Sequence, residues 1–436
     1  MKCAFYEKQI TPPLGDDIPG YYANRFTEDV ADDLYARAVV FSGNDENPAD
    51  MLVVLTLDAC FCEKDLADAI KARVTELAGI PYERIAVIAN HTHYGIPHGD
   101  SVSIRDEEYM SLLPRLAADA IILAVKRLEK CTLTYGMGHE DRCAFVRDYV
   151  FDDGAIVTNP GRKRKDRIVR PYSDPDPDLP VLTAYSESGK PLGVLFTYAL
   201  HQDTTGGKVF SGDFSSEIAR RLKVRYGKDF GSIFVPGYCG DINHFDVLGG
   251  MNWNHRSIGR LLSGVIADVS ENRSAAVEGE NLEINTRTIV VQRRRATPEQ
   301  IAHCKYVLED AENRKGPYVM LGRFGYKLTL MYEEYAATLP NNDVDIPLQI
   351  MRIGDVWFYV TPCEVYHQYG RPLKEATPSG KWLISELGNF YGGYIPTPEL
   401  MGTDIYPAWL CDGSWLETES GNKMIAALLE MVKEMA

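Results

Sequence analysis

Short unbroken apolar runs alternate along the chain with longer stretches in which apolar residues recur at helical spacing. Leu34–Phe41 and Met51–Leu57 are runs of strand length. Leu66, Ile70, Val74 and Leu77 follow on one helical face and stop at Gly79. Ile85–Ala89 is again strand-like. Glu107 to Leu128 has a helical pattern, with Pro114 marking its first turns or a kink. Strand-like pieces return at Thr132–Gly136, Val181–Tyr185, Pro191–Leu200 and Ser232–Pro236, with a helix at Ser215–Val224 between the last two. Ile258, Leu261, Leu262, Val265 and Ile266 mark another helix. Thr297-Pro298-Glu299-Gln300 has a capping-box pattern that opens a polar helix over Pro298–Asn313. Leu348–Ile353 and Val356–Val360 flank Gly354-Asp355, a hairpin turn. Ile425, Leu428, Leu429 and Val432 predict a last amphipathic helix. No repeat or heptad interrupts this order. It predicts an α/β fold: a single large domain over residues 1–436, a mixed β-sheet flanked by helices, and one helical, polar insertion at 293–342.

Composition narrows the function classes. With 436 residues the chain has ample length for a large core, and 45% hydrophobic with 25% charged residues is ordinary for a globular protein. A formal net charge of −16 argues against nucleic acid or an anionic membrane as partner. The basic run Arg162-Lys163-Arg164-Lys165 lies among Pro and Asp residues and reads as solvated. Nine scattered cysteines, an odd number without a Cys-x-x-Cys, argue against a disulfide framework or a zinc ribbon, and Cys60 and Cys62 read as core thiols. Met1–Glu7 has no apolar signal core, and no stretch is long and apolar enough to span a bilayer. The expectation is a cytoplasmic protein acting on a small molecule, with its oligomeric state open.

The strand Ile85–Ala89 runs into Asn90-His91-Thr92-His93-Tyr94-Gly95-Ile96-Pro97-His98-Gly99, which holds three of the nine histidines. In extended backbone His91 and His93 would face the same side, just beyond a strand end, where α/β proteins gather ligands. Imidazole is the commonest metal ligand, but a hydrogen-bonded loop histidine is an equal reading of His-x-His alone. Two more apolar runs end on ligand-type residues, His201 and Glu364. Two histidines, a carboxylate and an open position suit a hydrolytic zinc, and also non-haem iron. Dispersed ligands make the spacing a weak signal. His201 reads equally as a capped strand-end residue, and Glu364 as a first-turn acid of a helix over Val365–Tyr369.

At these residues the chain resembles the neutral ceramidase superfamily. His91-Thr92-His93-Tyr94-Gly95 is similar to that family's His-Thr-His-Ser-Gly motif, and Ile10-Thr11-Pro12-Pro13-Leu14-Gly15 to its opening. Leu34–Ala38, Leu57-Asp58, His201, Ser211–Phe214, Gly237–Asn243, Pro362-Cys363-Glu364 and Asn389–Thr397 follow in the family's order. The resemblance implies a zinc-dependent amidase with one zinc, held by His91, His201, Glu364 and Tyr394. It implies His93 as acid/base, Arg147 as a carbonyl- or oxyanion-binding residue, and Tyr406 as a further active-site tyrosine. Val146 stands where the family has Asn, Pro407 where it has Glu, and Gln202-Asp203 where a Pro is usual. Asp58, Asp213 and Asp241 are expected to orient imidazoles, Asp213 alternatively to cap the next helix. Asp241-Ile242-Asn243 could equally be an Asx-turn, a substrate contact or part of a second cation site. Tyr391–Trp415, with Trp409 and Trp415, is expected to line the pocket or to pack as a surface loop. Secreted sphingolipid-cleaving members carry a C-terminal β-domain and a signal. This chain shows neither, so a soluble non-ceramide substrate is expected. Cleavage of an ester, lactone or carbohydrate-linked group is the alternative, as is a non-catalytic binding protein on the same fold.

Overall fold

The computed structural model describes residues 1–21, 23–97, 105–309 and 322–436. His98, Gly99 and the end of the helix expected over Pro298–Asn313 lie outside them. The apolar runs pair into two stacked sheets. The first contains β1 (Lys2–Gln9), β2 (Tyr35–Ser42), β3 (Leu52–Leu57), β4 (Ile85–Ala89), β5 (Glu129–His139), β6 (Asp178–Ser186), β7 (Pro191–Tyr198), β8 (Gly231–Pro236) and β9 (Ser274–Ala276). Their order is β8-β7-β6-β5-β1-β2-β3-β4, with β9 on β5. The pairs β7–β8 and β3–β4 are parallel and the rest antiparallel, so the sheet is mixed as expected. The hairpin strands do not join it. They form a second sheet in the order β10 (Leu282–Gln292), β11 (Asp343–Ile353), β12 (Val356–Val360), β13 (Trp382–Ser385).

Helices cover both outer faces. α1 (Lys64–Ala78) and α2 (Glu107–Val125) pack on β1–β4, and α3 (Asp213–Tyr226) and α4 (His255–Asn272) on β6–β8. α5 (Pro298–Glu309) and α6 (Gly322–Ala336) follow β10, and α7 (Gly370–Ala376) and α8 (Ser420–Met435) cover the second sheet. The unbroken apolar runs have a simple cause. Val40, Val53, Leu55 and Val87 face α1 and α2, while Val39, Val54 and Ile88 face Met351, Phe358 and Val360 of the second sheet. Strands buried on both faces have no reason to alternate. Gly79 ends α1 in the left-handed conformation, φ 71°, and Pro114 sits inside α2 without ending it. Among the described residues no helix is long and apolar enough to cross a membrane.

β1 is missing from the sequence reading because Lys2, Glu7, Lys8 and Gln9 break its apolar pattern, yet it is central to the sheet. Its Phe5 lies against Gly193 of β7 and Gly231 of β8, strands well removed from β1 in the pairing order. The sheet therefore curls back on itself, and these glycines leave room for the ring. A Cβ on Gly231 would come within 2.3 Å of the Phe5 Cβ, which cannot move aside. Gly231→Ala is expected to cost about 1–3 kcal/mol by overpacking. In a Phe5→Gly background, which removes that Cβ, the same substitution should cost less, and urea midpoints of the four chains of the cycle would test it.

Candidate metal centre

Strand ends from both sheets converge at one edge. His91 follows β4, His201 follows β7, Glu364 follows β12, and Glu386 follows β13. Backbone bonds fix their approach. His91 N–H donates to Ala59 O at 2.8 Å and His93 N–H to Gln202 O at 2.9 Å. His91 does not continue the strand. It adopts φ 72°, a left-handed conformation uncommon for a side-chain-bearing residue and frequent at functional sites. The pairing of His91 with His93 thus comes from a turn rather than from extended backbone. Glu364 does not start a helix. With Val365 it forms a two-residue strand parallel to Tyr394–Ile395, in which Glu364 and Tyr394 are register partners. The helix expected over Val365–Tyr369 begins later, as a 3-10 turn at His367–Tyr369 that runs into α7.

His91, His201 and Glu364 each offer a ligand atom, and these atoms lie within 4.8 Å of one another. Glu364 Oε2 is 3.2 Å from His91 Nε2 and 3.4 Å from His201 Nε2. The Tyr394 hydroxyl is 3.5 Å from His201 Nε2, and Tyr391 O–H donates to Glu364 Oε1 at 3.0 Å. His91 Nδ1 donates to Cys60 O at 2.9 Å, which turns Nε2 toward the cluster. His91 Nε2 and Glu364 Oε2 are fully buried and make no hydrogen bond among the described residues. Buried polar atoms rarely stay so. A divalent cation fits this donor set. Cys60 with His91 and His93 is a second candidate group, but burial raises the Cys60 thiol pKa, against the thiolate that ligation needs. Both groups share His91, and Asp241 belongs to neither.

The electrostatics follow from the burial of these groups together. Burial pushes the Glu364 carboxyl up, but His91 and His201 outweigh it and hold it well below the usual range. Burial likewise disfavours the His91 imidazolium, yet Glu364 and Cys60 outweigh that and raise its pKa. Burial and His91 bring His201 down to about 4. Burial, then His91 and His201, depress His93 strongly. Burial and Glu364 raise Tyr394, against the opposing charge of Arg147.

A cavity of about 650 Å³ opens beside the cluster. His91, His93, Glu364, Tyr394, Tyr406 and Tyr391 line it at the strand ends. Arg147 and His201 are not among its lining residues. Arg147 lies behind the tyrosines, its guanidinium 4.8 Å from the Tyr394 ring centre and 5.8 Å from that of Tyr406, donating to Gly240 O. Trp415 lines the cavity, whereas Trp409 packs on Tyr326 and donates to Gly325 O. The aspartates bind other partners than the ligating imidazoles. Asp58 holds Tyr35 N–H, Arg37 and Asn90. Asp213 is the first residue of α3, not its cap, and holds Thr204 and Thr205. Asp241 holds His367. Gln202 replaces the expected Pro with two bonds, to Asn90 O and from Ser215 N–H.

Glu386 is the residue the sequence reading missed, and an acid ending the apolar run Trp382–Ser385 was its signal. It is wholly buried and accepts from Val365 N–H at 2.8 Å and from Cys239 N–H at 3.3 Å, joining three strand ends. Burial pushes it up to about 8, with His91 and Cys239 pulling the other way. Folded protein then keeps a proton that the unfolded chain releases above the ordinary carboxyl value of 4.5. That contribution to stability is complete below pH 4.5 and is lost as pH rises through about 8. Glu386→Gln cannot titrate and keeps an acceptor for both N–H groups. In chelator, the wild type should lose on the order of a few kcal/mol more than Glu386→Gln between pH 5 and pH 8. Urea titrations at both pH values check this, and equal losses would contradict it.

Neither the protein-family models nor the curated proteins include a match to this chain. Solved structures do. The neutral ceramidase from Pseudomonas aeruginosa superposes with a TM-score of 0.72 at 17% identity, covering 99% of this chain and 74% of the other. A ceramidase complexed with C2 gives a TM-score of 0.74 at 16% identity over the same shares. The chain has a neutral-ceramidase-like fold.

Proposed function

We propose that this protein is a zinc-dependent hydrolase that cleaves the amide bond of a small, non-ceramide substrate. One observation carries the reading. Two imidazoles and a carboxylate, buried and short of hydrogen bonds, converge beside a cavity of small-molecule size. The similarity to ceramidase structures supports amide rather than other chemistry. The nine free, buried cysteines suit a reducing, cytoplasmic setting.

His91, His201 and Glu364 would hold the zinc, with Tyr394 as fourth ligand. Zinc in such a site supplies a Lewis acid and a water of near-neutral pKa. The chain's own groups do the rest. Cys60 O fixes the His91 tautomer, and Tyr391 fixes the Glu364 rotamer. His93 faces the cavity with both ring nitrogens buried and without hydrogen-bond partners among the described residues. Its depressed pKa keeps it neutral near pH 7, so it can accept a proton and later return it to a leaving nitrogen. Arg147 keeps a positive charge behind Tyr394 and Tyr406, which favours negative charge on either hydroxyl and on an oxyanion beside them. Arg147 thus acts through the tyrosines, and Tyr406, which lines the cavity beside Tyr394, would offer its hydroxyl to a substrate carbonyl.

Elemental mass spectrometry of purified protein tests the reading. About one zinc per chain is expected in the wild type and none in His201→Ala. His93→Ala should keep its zinc and lose about 10²–10⁴-fold in turnover of whichever amide is found by screening. Wild-type protein that stays metal-free after zinc loading would end the metallohydrolase reading. Zinc-loaded protein that cleaves esters or lactones but no amide would redirect it.

A further inference from the structure

The wall of the cavity away from the metal cluster is built differently. β10 ends at Gln292 and leads into three consecutive arginines. Two of them are committed to the fold. Arg294 donates to Ala408 O, Ser414 O and Ser414 Oγ, and Arg295 pairs with Glu333. Arg293 differs. Its backbone N–H is anchored on Asn342 O at 2.7 Å, and its side chain lines the cavity. The guanidinium stacks 4.2 Å from the Trp415 ring centre and lies beside the Tyr332 hydroxyl, and both these residues also line the cavity. Its Nε is buried without a hydrogen-bond partner among the described residues.

No described carboxylate forms an ion pair with Arg293. Asp412, on the same wall, has interactions of its own. Lys64, also among the described lining residues, is paired with Asp68. A guanidinium is always charged, and its planar fork matches carboxylate and phosphate oxygens. Held against an aromatic plate, half-buried and facing the cavity, it loses part of its hydration and gains from an anion that enters. The neighbouring wall is apolar, from Leu328 and Met331 of α6.

We infer that Arg293, with Trp415 and Tyr332, forms an anion subsite. It selects ligands that carry a carboxylate or phosphate on an apolar or flat body, apart from the bond presented to the metal cluster. The inference rests on the proposed hydrolase reading only for the bond that is cleaved.

Calorimetric binding separates the two. The probes are N-acetylphenylalanine, its neutral primary amide, and phenyl phosphate. The protein is first dialysed against a chelator, so that an anion has no metal to ligate. Wild type should bind each anion about tenfold or more tightly than the neutral amide. Arg293→Met should bring the three to within about threefold without weakening the amide. Arg293→Lys, which keeps the charge and loses the fork, should retain part of the preference and serves if the Met variant misfolds. A wild type without preference, or a preference that survives in Arg293→Met, overturns the subsite. The relative affinities of the carboxylate and the phosphate then name the anion. With zinc restored, anionic amides should exceed neutral ones in kcat/KM by a similar factor, through KM. A preference that persists in binding while no amide is cleaved would reject the hydrolase reading and leave the subsite standing.

Discussion

A carboxylate with 1% exposure sits between two imidazoles, and the architecture around it exists to make that tolerable. An isolated buried carboxylate costs several kcal/mol, and a paired one is stable only when its remaining lone pairs are met. Glu364 meets the condition only in part: Oε1 accepts from the Tyr391 hydroxyl, while Oε2 lies 3.2 and 3.4 Å from the His91 and His201 Nε2 atoms without a hydrogen bond of its own among the described residues. None of these partners is near it in sequence. The arrangement therefore holds only while strand ends from both sheets stay in register at one edge, and this is what the two-sheet core provides.

Beneath the cluster lies a second polar layer that transmits the rigidity of the sheets to the loops. Asp58 joins Tyr35, Arg37 and Asn90, so the residue preceding His91 is tied to β2 and β3. Asn389 exchanges hydrogen bonds with Val87 of β4 and donates to Gln349 of β11, bridging the sheets directly. Gln202 links the His201 loop to Asn90 and to the start of α3. Buried polar networks of this kind are favourable when every member is satisfied, and they admit few alternative arrangements. The left-handed His91 is strained on its own, and these bonds over-determine it.

The cavity joins two walls of different origin. One is made of strand ends and carries the ligand-type atoms. The other is made of Arg293, the face of α6 and the loop at Trp415, elements attached to the second sheet rather than part of it. α6 joins the apolar core of the second sheet through Tyr332 and Ala336, so this wall is packed and not merely draped over the opening. The proposed chemistry and the proposed selectivity would thereby rest on different walls of one cavity.

The sequence by itself determined the elements whose cause is local. Apolar runs such as Ile85–Ala89 matched their strands because both faces of those strands are buried, and α1 ended at Gly79 because only glycine enters the left-handed turn cheaply. The ordered motifs also brought His91, His93, His201, Glu364, Tyr394 and Tyr406 into view. Tertiary structure alone decided which of them meet, and how. β1 was illegible because its charged residues obscure a pattern set by distant strands. Glu364 has the local look of a helix start and becomes a strand residue only because Tyr394–Ile395 is available to pair with it. The membership of β10–β13 in a second sheet, the retreat of Arg147 behind the tyrosines and the buried Glu386 share one reason. Each depends on contacts between segments far apart in the chain, and those contacts leave no periodicity or spacing to read.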